Sequence, residues 1–172
     1  METFTNPEDK YSWTKNADGS WSSGNKGQYN TQSKMISKEF TLDKKGMISF
    51  EWRSNGESNY DYLGYDIYDV ENEKYLSGQR TPNYRNCLEN LNGKRSASYS
   101  KVTKELNPGT YQIVFMYGKD GTGNSYEDQG FVKNVCYDCE YLYTYDKPVS
   151  DGELLPDGIT LYAKWKKQGN LK

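Results

Sequence analysis

The chain contains no histidine. Neither a Ser–His–acid nor a Cys–His nucleophile can therefore be assembled, which excludes hydrolysis by those routes. Cysteine is scarce as well: Cys87, Cys136 and Cys139 are the only three in 172 residues. The "CYDC" spacing of the last two suits a disulfide, a redox pair or half a zinc site. A closed four-ligand zinc site would have to recruit a carboxylate, and the pair does not open a helix after a strand as a thioredoxin-like site does. Two readings stay open: one disulfide with a leftover thiol, or three reduced thiols in a packed interior. No apolar run approaches the roughly 20 residues that cross a bilayer as a helix, and the start "METFTNPEDKYSW" lacks the basic residues and apolar core of a signal peptide. Charge of one sign is missing too. Twenty-two basic and 24 acidic residues are scattered to a net −2, so there is no one-sided basic field for nucleic acid or an anionic membrane.

What the sequence does have is aromatic side chains. Only 34% of residues are hydrophobic, yet 15% are aromatic, with 17 tyrosines and 4 tryptophans, a composition that folds rather than staying disordered. The length fits one domain, or one domain with a small appendage.

A period of two runs along much of the chain. "MISFEW" places Ile48, Phe50 and Trp52 on one face, after an "LDKKG" turn that follows the alternating "ISKEFTL". "YLGYDIYDV" puts Leu63, Tyr65 and Ile67 inward and Tyr62, Asp66 and Tyr68 on the opposite face. In "LNPGTYQIVFMYGKDG" a Pro-Gly turn feeds a strand apolar on both faces, Tyr111, Ile113, Phe115 and Tyr117 against Val114 and Met116, which predicts a central strand covered on both sides. One segment breaks the rhythm. "TPNYRNCLENLNG" offers Thr81 as N-cap, Pro82 at the first helical position, Tyr84, Cys87, Leu88 and Leu91 at helical spacing and Asn92-Gly93 as a stop, predicting a short helix over 82–91. Many strands with one short helix argue for an all-β fold, an antiparallel jelly-roll β-sandwich.

The candidate functional residues follow from this layout. Asp61 shares the parity of Leu63 and Tyr65, so its carboxylate points to the interior or its rim and needs a partner. Glu57, Asp61, Asp120 and Asp128 fall in loops that such a sandwich gathers at one end, and oxygen ligands of this kind suit Ca²⁺, the one cofactor expected; the alternative is that these acids cap turns. Sugars present apolar ring faces edged with hydroxyls, so exposed Tyr and Trp beside Asn and Asp form the expected ligand platform. Trp21, in a turn-rich "DGSWSSGN", and Tyr60 and Tyr126, beside Asn59 and Asn124, are the candidates. Trp13 and Trp52 are expected in the core, and Trp165 against the body. Two carboxylates facing across a cleft would instead make a glycosidase.

Four stretches carry a resemblance: "YSWTKNADGSWSSGN", "GMISFEWRSNGESNYDYL", "LNPGTYQIVFMYGKDG" and "GNSYEDQGFVKNV". In this order they make residues 11–137 resemble the jelly-roll accessory domains of secreted bacterial proteins, related in shape to MAM and concanavalin-like sandwiches. "YDYL" resembles the calcium-site strand of CUB domains. The tail "DGITLYAKWKK" resembles the second half of a Listeria–Bacteroides repeat, which implies a jelly-roll sandwich over 1–137 followed by a small C-terminal β-hairpin or partial repeat over 138–172. These resemblances imply a non-catalytic carbohydrate-binding module of a secreted or cell-surface bacterial protein, part of a larger multidomain chain, with a polysaccharide partner, α-glucan or starch-like first. The rival is a structural or adhesive module that binds a protein.

Overall fold

The computed structural model describes residues 4–5, 10–95 and 97–138. In chain order the strands are β1 Phe4–Thr5, β2 Thr14–Lys15, β3 Trp21–Ser22, β4 Thr31–Ser37, β5 Phe40–Leu42, β6 Gly46–Asn55, β7 Tyr62–Asp69, β8 Lys74–Tyr75, β9 Glu89–Asn92, β10 Ser100–Leu106, β11 Gly109–Lys119 and β12 Gln129–Cys136. They form two antiparallel sheets, and the described residues contain no helix: this part of the chain is an antiparallel β-sandwich.

The larger sheet runs β1-β4-β11-β7-β8, with β5 beside β11 where β4 leaves off and β9 beside the other half of β7. The smaller runs β10-β6-β12-β3-β2. β11 is central, as its two apolar faces required: Ile113, Phe115 and Tyr117 point into the core, and Val114 and Met116 are buried on the opposite face.

The core forms where the alternating stretches meet. Ile48, Phe50 and Trp52 of β6 pack against Leu63, Tyr65 and Ile67 of β7 and Phe115 of β11. Their rings meet edge to face: Phe50 lies 4.8 Å from Tyr65 and 5.0 Å from Phe115, and Trp52 lies 5.4 Å from Tyr65. Each such pair adds about 0.5–1.5 kcal/mol to the burial itself. Burial, and next the neighbouring Glu89 carboxylate, push the Tyr65 hydroxyl well above the ordinary tyrosine range; it donates to Glu89 Oε2 at 3.2 Å.

The helix expected over 82–91 does not form. Residues 76–88 are an irregular segment that turns into β9. The reason is local competition by asparagine side chains, which offer the backbone partners that helix formation would otherwise supply. Asn83 Oδ1 accepts from the amides of both Arg85 and Asn86 at 2.9 Å, and Asn90 Nδ2 donates to the Arg85 carbonyl at 2.9 Å. Trp21 is also placed differently from the expectation. It lies in β3, opposite Lys15 and Val132, and packs against the core rather than sitting in a turn. Trp13 and Trp52 are buried as expected. The expected C-terminal hairpin, Trp165 and Cys139 lie outside the described residues.

Candidate functional site at the loop end

Four connections converge at one end of the sandwich: β3–β4, β6–β7, β9–β10 and β11–β12. A buried ammonium bridges two of them, and one of its carboxylate partners ties in a third. Lys119, the last residue of β11, is fully buried, and its Nζ contacts Asp61 Oδ2 at 3.3 Å, the Gly123 carbonyl at 3.1 Å and Asp128 Oδ1. Asp61, also fully buried, accepts from the Asp120 amide at 3.2 Å and the Glu57 amide at 3.3 Å. Asp128 accepts from the Gly27 amide at 2.7 Å. Burial raises the Asp61 pKa, opposed by the Lys119 charge and the two amides. The Tyr117 hydroxyl, buried beside both carboxylates, is pushed far above its usual range, first by burial and then by their charges, and stays neutral.

The four acids expected as calcium ligands thus divide. Asp61 and Asp128 face Lys119 Nζ, whereas Asp120 Oδ1 accepts from the Thr122 amide within its own turn at 3.1 Å. The Glu57 carboxylate lies against Gly123, where an added Cβ would stand 2.3 Å from Oε2. Among the described residues no three Asp, Glu or Cys side chains are grouped to hold a metal ion. With an ammonium at its centre, this donor set does not fit Ca²⁺.

On the outer face of the larger sheet, β7, β11 and β4 place Tyr62, Gly118 and Gln32 in one row. The missing side chain at Gly118 makes room for Tyr84: a Cβ there would come within 1.8 Å of the Tyr84 ring. Gly64 does the same for the Cys87 Sγ, at 2.6 Å from a hypothetical Cβ. Glycine inside a strand marks close approach of another segment, and here two glycines seat the irregular 76–88 segment on the sheet. The Tyr84 amide donates to Gln32 Oε1 at 2.8 Å, locking the segment to β4.

Between this segment and the start of β4 opens a cleft of about 420 Å³, lined by Asn30, Thr31, Gln32, Asn83, Tyr84, Arg85, Asn86 and Lys119. Its walls carry amides, a hydroxyl, a guanidinium and one aromatic ring, and no carboxylate. Such walls hydrogen-bond a polyhydroxylated ligand in both directions.

Among the described residues the exposed large apolar side chains are Tyr29, Tyr60 and Tyr126, all in loops at this end and each about half exposed. Tyr60 precedes the cleft wall: its carbonyl accepts from Arg85 Nη2 at 3.1 Å. Asn59 pairs reciprocally with Asn92, its amide donating to Oδ1 at 2.6 Å and its Oδ1 accepting from Nδ2 at 2.9 Å. Asn124 Nδ2 donates to the Tyr29 hydroxyl at 3.1 Å, and the Arg95 guanidinium covers the Tyr126 ring at 3.8 Å from its centroid. Of the expected platform, Tyr60, Asn59, Tyr126 and Asn124 therefore belong to this end and Trp21 to the sheet. Sequence reasoning missed Tyr29, Asn30, Gln32 and the whole 83–86 wall. The available signal was the pair of mid-strand glycines, Gly64 and Gly118.

The cysteines are resolved in part. Cys136 is disulfide-bonded and Cys87 is free. Burial, then the Asp66 charge, lift the Cys87 thiol to about 11. At pH 8 Cys87 is expected to react with iodoacetamide at least about tenfold more slowly than a solvated thiol, since its smaller thiolate fraction outweighs its greater intrinsic nucleophilicity. Quantified alkylation of the native protein checks this; a rate equal to that of free cysteine would mean the 76–88 segment lifts off the sheet.

No family model and no curated relative matches the sequence. Among solved structures, the chain is similar to two cleaved adhesin domains of Lys-gingipain from Porphyromonas gingivalis. One is 16% identical and the other 13%; each alignment covers 78% of this chain and 88% of the domain, with a TM-score of 0.46. It is also similar to a low-affinity xylan-binding module from Roseburia intestinalis, with 8% identity, 79% of this chain and 96% of that chain covered, and a TM-score of 0.38.

Proposed function

We propose that this sandwich is a non-catalytic polysaccharide-binding module of a secreted or surface-attached protein, with the loop-end cleft as its ligand site. The observation that carries this reading is the cleft itself. Amide, hydroxyl and guanidinium groups converge on one open space flanked by the Tyr84 ring, with Tyr29 and Tyr60 exposed in the loops at the same end. Aromatic faces receive the apolar side of a sugar ring while the amides receive its hydroxyls. A disulfide at Cys136 supports an oxidising compartment.

Affinity electrophoresis through gels containing α-glucans, xylans or other plant and host glycans tests it. One polysaccharide class is expected to retard the protein, and Tyr60→Ala to weaken that binding about fivefold to tenfold, the loss of one aromatic contact. The Tyr- and Asn-rich loops at the end of a sandwich also suit a protein surface, because Tyr gives large contact area at low entropic cost. If no glycan retards the protein, this adhesive reading replaces the first.

A further inference from the structure

We infer that the cleft is built for an acidic glycan, one whose sugar units carry a carboxylate, and that Arg85 is the residue that pairs with it. This inference rests on the polysaccharide reading and narrows it. Arg85 lines the cleft and is exposed, yet its guanidinium is held in place. Nη2 donates to the Tyr60 carbonyl at 3.1 Å and, more weakly, to that of Asn59 at 3.5 Å. The group also lies 4.9 Å from the centroid of the Tyr62 ring and 5.8 Å from that of Tyr84.

These contacts fix its position without neutralising it. Carbonyls and ring faces orient a guanidinium but leave its full charge. Among the described residues no carboxylate pairs with Arg85, and its Nε and Nη1 have no protein acceptor. The remaining polar walls, Asn30, Thr31, Gln32, Asn83 and Asn86, are neutral. The other cation that borders the space, Lys119, turns its ammonium inward onto Asp61 and Asp128 and offers nothing outward. The cleft therefore holds one fixed, unneutralised positive charge among uncharged hydrogen-bonding groups. An anchored guanidinium gives up little freedom when it engages a carboxylate through two parallel N–H donors. A neutral sugar would leave that charge to water.

The test compares polygalacturonate with the same polymer after carboxyl reduction, by isothermal titration on wild type, Arg85→Gln and Arg85→Lys, with circular dichroism to verify that each variant is folded. Glucuronoxylan and unsubstituted xylan form a second pair. Wild type is expected to bind at least one acidic polymer about tenfold or more tightly than its neutral counterpart, as a charge-assisted hydrogen bond gives. Raised salt should shrink that preference. Arg85→Gln should abolish it, and Arg85→Lys should keep part of it. Equal binding of the acidic and neutral members, or a preference that persists in Arg85→Gln, overturns the inference while the polysaccharide reading stands. Binding of none of these polymers overturns the inference, and binding of no glycan in the wider electrophoresis panel overturns the polysaccharide reading as well.

Discussion

Replacing Lys119 with methionine is expected to lower the stability of the sandwich by about 3–5 kcal/mol, because it leaves buried carboxylates without their cation. For a chain of this size that corresponds to a fall in Tm of about 10 °C. Asp61 and Asp128 are both buried, and Lys119 is the positive charge that both of them touch. The effect should spread, since these two carboxylates also accept from the amides of Gly27, Glu57 and Asp120 on three different loops. The deficit has a pH signature. Burial already raises the Asp61 pKa, so the folded state holds this proton more tightly than the unfolded chain does. The group's contribution to stability therefore declines as pH rises above the ordinary carboxylate value toward the raised one. Losing Lys119 raises it further, so the deficit should be greatest at neutral pH and shrink on acidification. Thermal melts across pH check this. Changing Asp61 and Asp128 to asparagine in the same chain should restore much of the loss, as the amide oxygens still accept from the loops. A single-variant loss below about 1 kcal/mol would mean that the ammonium is not what draws the loops together.

Gly118→Ala is expected to displace Tyr84, destabilising the fold by about 1–3 kcal/mol as overpacking does, and to weaken glycan binding by more than tenfold through loss of the cleft wall. One added methyl group cannot share space with a ring that it would approach to 1.8 Å. The ring has little freedom to retreat, because the Tyr84 amide is bound to Gln32 and Arg85 packs above it. Combining Gly118→Ala with Tyr84→Gly separates the two effects. Stability should recover, since the clash is gone, and binding should not, since the wall is gone too. Melting curves with glycan titrations on the three proteins decide it; binding unchanged in Gly118→Ala would remove this cleft from consideration as the ligand site.

The layers of the fold were readable wherever the pattern followed one physical period. Ile48, Phe50 and Trp52 alternate with polar residues and fill the core; Tyr111 to Met116 is apolar on both faces and is central. Asp61 was readable as an inward carboxylate in need of a partner. The identity of that partner was not, because Lys119 is 58 residues away in sequence and nothing local distinguishes it from other lysines. The 82–91 segment misled because helix spacing and capping signals coincided there, while the Asn83 and Asn90 side chains bond nearby backbone instead. Trp21 misled in the opposite direction: turn residues surround it, but two strand residues suffice to pair with Val132. The cleft was hidden for a related reason. It exists only because Gly118 and Gly64, diagonal to one another on neighbouring strands of the outer face, leave room for a distant segment.

The order of strands along the chain also sets when they can pair. β4 ends at Ser37 and has the short β1 on one edge, yet the strand on its other edge does not begin until Gly109. β6, likewise, waits for β10 and β12. At ordinary rates of synthesis that delay is on the order of several seconds, during which the early strands present unpaired edges. Most pairings join distant parts of the chain, a topology associated with folding on the millisecond-to-second scale. Residues 100–136, which form β10, β11 and β12, thus act as the template onto which β4, β6 and β7 assemble, and until they are made those earlier strands have no central partner.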